Sequence, residues 1–212
     1  MGARSNALSE IVRFWLQERH GLLLRESVPV KLIRNNSDID FVVMSPKGNT
    51  TLLEDSDDPI TFKNAIVEVK DERDFDKRGT DFAKRLRKDY NLLAENRMIS
   101  VGTPCIFSML KEQHHKKAEE IFGTEADFSK IFIFHNLNKN GLSDILADLR
   151  DRNIYFVTSF EILSDIQKFF RESRDGAGIR NSLVGDILDM LVTYHKWKSD
   201  QKLEYGRTGR KT

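Results

Sequence analysis

The chain reads as an α/β protein whose mixed central sheet is flanked by helices. Three observations predict this class. A helical-period apolar stripe opens the chain, with Leu8, Ile11, Val12, Trp15 and Leu16 at i, i+3, i+4, i+7 and i+8. Short β-branched runs separated by turn residues follow as far as Val69. From Cys105 onward strand-like and helix-like segments alternate, the pattern of a sheet with helices packed on it.

The first helix is expected over Asn6 to Arg19, stopping near Gly21. Val28–Ile33, Phe41–Met44, Thr51–Leu53 and Ile66–Val69 are the early strands. Asn35-Asn36-Ser37, Pro46-Lys47-Gly48-Asn49 and Asp55-Ser56-Asp57-Asp58-Pro59 are turns, and the second is expected to close a hairpin. Gly79-Thr80-Asp81 opens a second helix, with Thr80 as N-cap and Asp81 suited to the positive end of the helix dipole. Phe82, Leu86, Tyr90 and Leu93 mark its buried stripe. Strands are then expected at Cys105–Leu110, Ile131–Phe134 and Ile154–Val157, with helices at Glu112–Phe122, Ser143–Arg150 and Phe160–Arg171. Ser173 to Gly178 reads as a hinge. A last helix from about Asn181 to Lys198 is apolar around most of its circumference, so it needs burial in its own fold or against a second subunit. The organisation is therefore one domain over 1–175, then a helix and basic tail over 176–212 available for dimerisation or DNA contact.

Composition narrows the function. The 212 residues carry 34 basic and 33 acidic side chains, a net charge of +1, which excludes a uniformly basic coat but not a local basic face. Charged residues reach 32%, yet the 39% that are hydrophobic suffice for a core. The single cysteine, Cys105, excludes a disulfide scaffold and a Cys-rich zinc site, and its apolar run makes it a core residue rather than a nucleophile. Apolar runs fall far short of the roughly 20 residues of a membrane span, and no signal-peptide core follows Met1, so a soluble, cytoplasmic protein is expected. Gly-x-Ser-x-Gly, Walker and Gly-x-Gly-x-x-Gly motifs do not occur.

The chemistry concentrates in Asn64-Ala-Ile-Val-Glu-Val-Lys-Asp. Side chains alternate along a strand, so Val67 and Val69 point one way while Glu68 and Lys70 share the other face. Upstream, Ser37-Asp-Ile-Asp-Phe-Val-Val-Met places Asp40 at the mouth of another apolar strand, with Asp38 as its competitor on the same face. If the two strands pair, Asp40 and Glu68 converge on one cation. Two hard carboxylates with water and a substrate phosphate suit Mg²⁺, as one or two ions. Lys70 would then orient or deprotonate water and balance developing charge. A second acid-x-Lys, Asp200-Gln-Lys202, lies in the polar tail and lacks this context. The alternative for Glu68 and Lys70 is a plain ion pair on a solvated sheet face.

Asp40 followed by Glu68-Val69-Lys70, with a helix before and a basic helix after, resembles the PD-(D/E)xK nuclease superfamily of type II restriction endonucleases and Holliday-junction resolvases. The resemblance covers roughly residues 5–100, and Ile39 stands where the family often has proline. It implies a restriction-endonuclease-like fold, with Asp40, Glu68 and Lys70 as catalytic residues and Asp40, Glu68 and the Val69 carbonyl as metal ligands. It also implies an accessory acid on the first helix, for which Glu10 and Glu18 are candidates. Asp40 is preferred over Asp38 because Phe41-Val42-Val43 follows it directly. The long gap from Asp40 to Glu68 leaves room for an extra strand or hairpin.

Between Lys77 and Lys88 stand six basic residues and one acid. Arg78, Lys84, Arg87 and Lys88 form the expected phosphate track, the alternative being an ordinary solvated helix face. His114 and His115 read as the start of a surface helix, His135 as the partner of a backbone group and His195 as structural. Asp55 to Asp58 is a turn, not a cation loop. The expected function is a Mg²⁺-dependent endonuclease acting on double-stranded DNA as a homodimer, with a type II restriction enzyme as the preferred reading. A resolvase or repair nuclease of the same fold, or a non-catalytic DNA-binding module, are the alternatives.

Overall fold

The computed structural model describes residues 7–32, 36–70, 79–96, 98–100, 102–135, 137, 139 and 141–172. Arg78, the hinge, the last helix and the basic tail lie outside them. Two compact units divide the chain, Met1–Ile162 and Leu163–Thr212.

The order of elements is α1 (Ala7–Phe14), a π-helical turn (Trp15–Arg19), β1 (Leu23–Lys31), β2 (Asn36–Met44), β3 (Thr50–Leu52), β4 (Ile60–Phe62), β5 (Asn64–Lys70), α2 (Gly79–Asn96), a 3₁₀ turn (Ser108–Leu110), α3 (Glu112–Phe122), β6 (Ser129–Phe134), α4 (Ser143–Asp151), β7 (Ile154–Thr158) and α5 (Ser159–Glu172). β1, β2, β5, β6 and β7 lie side by side in one mixed sheet. β1–β2 and β2–β5 are antiparallel, whereas β5–β6 and β6–β7 are parallel. The parallel steps need crossovers, and the helices between the strands supply them.

One face of the sheet carries Val42, Ile66, Phe132, Phe134 and Phe156 into a cluster with Phe82, Leu86 and Leu93 of α2, Ala118 of α3 and Leu149 of α4. Phe107 packs edge-to-face against Phe132, Phe134 and Phe156 with centroids 5.3 to 6.2 Å apart, an arrangement aromatic quadrupoles favour. Alternation turns Val43, Val67, Ile131 and Ile133 to the opposite face, where they are also buried. Burial on both faces explains why β5 and β6 read as nearly continuous apolar runs.

Several local expectations are corrected. The first helix does run to Arg19 and stop at Gly21 as expected, but it keeps α geometry only to Phe14 and continues as the π-helical turn; Gly21 then takes φ 64°, and its N–H and that of Leu22 donate to Gln17 and Leu16. The Pro46–Asn49 turn does not close a hairpin between its flanking strands. β3 pairs with β4 in a separate two-stranded sheet, and β2 pairs with β5 beyond it. That small hairpin fills the long interval between Asp40 and Glu68. α2 begins at Gly79, which puts Thr80 inside the helix rather than at its cap. Cys105–Leu110 is not a strand. The N–H groups of Ile106 and Phe107 donate to the Asp89 carboxylate at 3.0 and 3.2 Å, so they are unavailable to a sheet ladder.

Candidate active site

The register that pairs Phe41 with Val67 and Val42 with Ile66 sets Asp40 opposite Glu68 where β2 and β5 reach their splayed end. Two features of β1 and β2 mark this point. Ser27, opposite Asp40, has φ 49° and interrupts the β1–β2 ladder between Glu26↔Phe41 and Val28↔Ile39. Ile39 and Val42 join the same core cluster, although strict alternation would place them on opposite faces. The strand therefore changes phase around Asp40 while the β1–β2 register stays the same on either side. Its carboxylate leaves the ladder and accepts the Val69 N–H through Oδ2 at 2.6 Å. A strand residue projects its N–H and C=O to the same side, so the Val69 carbonyl opens toward Asp40 as well.

Glu68 is buried, with 5% of its surface exposed. Its Oε1 pairs with Lys70 Nζ and accepts the Ser108 hydroxyl at 2.6 Å. Its Oε2 is buried and has no hydrogen-bond partner. Burial pushes Asp40 up to about 6. The Val69 N–H opposes that shift, Glu68 adds to it, Lys70 opposes it and Asp38 adds to it. Asp40, Glu68 and Lys70 thus share one electrostatic site. Asp38, two residues earlier, is exposed.

The donor set suits a divalent cation. Two carboxylates and a backbone carbonyl are hard oxygen ligands, and the orphaned Oε2 is a buried acceptor that a cation would satisfy. No group of three or more His, Cys, Asp or Glu side chains with metal-holding geometry occurs among the described residues. Mg²⁺ commonly rests on one or two carboxylates and keeps its waters, so a two-acid set is sufficient.

The loop after α2 completes the site. Asp89, on the buried side of α2, fixes the backbone of Ile106 and Phe107 and so delivers Ser108 to Glu68. Burial raises the pKa of Asp89 against the two N–H bonds. Cys105, partly buried against the core, donates to the Phe107 carbonyl at 3.6 Å, and burial pushes its thiol up to about 11. His114 is not on a surface: it is fully buried, its Nε2 lies 3.2 Å from Ser37 Oγ, and burial with Lys111, Lys130 and Lys70 nearby lowers it to about 4. Ser108 and Asp89 escaped the sequence reading, which set His114 on a surface. Asp89 left one signal, a carboxylate in line with Phe82, Leu86 and Leu93 on an apolar stripe.

The accessory and DNA-facing residues are placed as follows. Glu10 pairs with Arg13 at 3.1 Å, and Arg13 also holds Glu26 of β1 at 2.7 Å, so Glu10 belongs to a surface ion network. Glu18 is exposed. Lys84 and Lys88 are exposed on α2. Arg87, next to them, donates to the Gly141 carbonyl at 2.6 Å. Among the described residues no helix is long and apolar enough to cross a membrane. The chain matches no protein-family model, no curated protein and no solved structure.

Proposed function

We propose that the chain is a Mg²⁺-dependent DNA endonuclease of the PD-(D/E)xK kind, a type II restriction enzyme working as a homodimer. The observation that carries this reading is the meeting of Asp40, Glu68, Lys70 and the Val69 backbone at one splayed strand end. A solvated ion pair would leave Glu68 exposed and its oxygens hydrated. Here Glu68 is buried with one oxygen committed and the other unfilled.

Asp40, Glu68 and the Val69 carbonyl would hold the ion. Bound Mg²⁺ would polarise the phosphoryl oxygen and acidify its water. Ser108 fixes Glu68 through Oε1, which leaves Oε2 as the ligand atom. Lys70 neutralises Glu68 until substrate arrives, and its ammonium then stands beside developing negative charge. Lys84 and Lys88 supply exposed cations for the phosphate backbone.

Plasmid digestion with Mg²⁺, followed by sequencing of the ends, tests the reading. Discrete fragments with a shared end sequence are expected from linear duplex. Preference for a four-way junction would favour a resolvase. Tight DNA binding without cutting under any divalent cation would refute the enzyme reading in favour of a binding module.

A further inference from the structure

We propose that Lys130 is the reactive amine of a second site, one that captures neutral aldehydes as imines. Lys130 stands at the start of β6, in register with Ile66 and on the sheet face that carries Phe132 and Phe134. It retains only 8% of its surface, and it lines a cavity of about 490 Å³ between α3, the loop before β6 and the start of β7. Among the described residues its amine makes no ion pair and no hydrogen bond. A buried ammonium without a carboxylate is costly, and shedding the proton relieves that cost. Burial lowers the Lys130 pKa to about 8, opposed by Glu119 alone. The site is independent of the nuclease reading.

The surroundings select the ligand class. His115 and Glu119 of α3 lie 3.5 Å apart at the cavity, and His115 Nδ1 is buried without a partner. Asp127 accepts from Asn153 at 3.1 Å, and Arg152 is engaged with Asp148 at 2.8 Å. Glu119, Glu125 and Asp127 outnumber the cations Lys130 and Arg152 along the wall, so phosphates and carboxylates are repelled. On the inner side His114 is held neutral by burial and by its lysine neighbours, Lys130 included. Met98, Phe128 and Ile154 give apolar walls. A neutral carbonyl compound with an apolar body fits this environment.

The chemistry balances without an oxidant or reductant. The neutral Lys130 Nζ attacks the carbonyl carbon, forming N–C while the carbonyl π pair moves to oxygen. The nitrogen proton reaches that oxygen through the Glu119–His115 pair. The carbinolamine hydroxyl then takes a proton from the same pair and leaves as water while the nitrogen lone pair closes C=N, and the remaining N–H proton passes back to the pair, giving an imine and one water.

The test incubates the full chain with isobutyraldehyde and cyanoborohydride, which reduces the imine to a stable secondary amine, and maps the labelled peptides by mass spectrometry. Near neutral pH, Lys130 is expected to label roughly tenfold or more faster than the exposed Lys47 and Lys63, because far more of it is unprotonated. Its rate should level off above about pH 8 while theirs still climb. An excess of isobutyrate should not protect it. Labelling no faster than at Lys47, labelling only in denaturant, or protection by isobutyrate would each overturn the proposal, the last by revealing an anion site.

Discussion

Lys70 and Lys130 stand on the same face of adjacent strands, yet the fold handles them in opposite ways. Lys70 reaches the open end of β5 and pairs with Glu68, which Ser108 also holds. Lys130 sits at the start of β6 with its amine unpaired and its pKa drawn down to about 8. A charge leaving water needs either a partner or a change of protonation. At the paired end the ammonium and the carboxylate offset each other, which is the arrangement the proposed ion and phosphate site would use. At the unpaired end the amine releases its proton more readily, down to about pH 8, which is what the proposed capture of neutral electrophiles would use.

The comparison breaks most sharply at the paired end. Asp40→Ala and Lys70→Ala are each expected to lower Mg²⁺-dependent cleavage by at least about a hundredfold, since several kcal/mol of charge stabilisation would vanish. Plasmid nicking checks this, and circular dichroism should show both variants folded. At the unpaired end the opposite sign is expected. Lys130→Met removes an amine that folding desolvates, and should stabilise the chain by about 1–3 kcal/mol near neutral pH in urea unfolding. In the wild type the unfolded chain holds the Lys130 proton from about pH 8 to its ordinary pKa near 10.4, so that residue's contribution to stability rises with pH across the window. Lys130→Met should lack that rise.

Asp40 and His114 sharpen the comparison by acid titration. Folded Asp40 titrates at about 6 against roughly 3.9 unfolded, so in that interval the folded state holds the extra proton and stability falls as pH rises. Folded His114 titrates at about 4 against roughly 6.5 unfolded, so the unfolded state holds the extra proton and stability rises with pH. The two slopes nearly cancel between about pH 4 and 6. Asp40→Asn removes one of them. Its urea-derived stability should climb by about 1.4 kcal/mol per pH unit more steeply than the wild type there. An unchanged slope would place Asp40 in an ordinary solvated setting. A smaller effect is expected from Ser108→Ala. Losing the bond to Glu68 should cost about 1–2 kcal/mol of stability and raise the Mg²⁺ concentration for half-maximal cleavage about tenfold.

The parts of the fold and site that follow local rules were legible in the sequence. Alternation along Asn64–Lys70 set Glu68 and Lys70 on one face, and the apolar run after Asp40 marked a second strand beside it. The parallel half was legible from the alternation of helix and strand patterns. What stayed hidden depends on contacts distant in the chain. Cys105–Leu110 has the composition of a strand, but its N–H groups answer to Asp89 on α2. Ser108 meets Glu68 from 40 residues away, and His114 meets Ser37 from 77. The phase change at Asp40 lies opposite the positive φ of Ser27 within the neighbouring strand, which no single-strand pattern encodes.

That Asp40 and Glu68 hold a single divalent cation between them is tested most directly by titrating Mn²⁺, as a paramagnetic stand-in for Mg²⁺, into the full chain and counting bound ions by electron paramagnetic resonance. Wild type should bind Mn²⁺ and release it to competing Mg²⁺, while Asp40→Asn and Glu68→Gln each lose that binding and remain folded. Equal binding by wild type and both variants, or none by any of them with DNA present, would contradict the shared site.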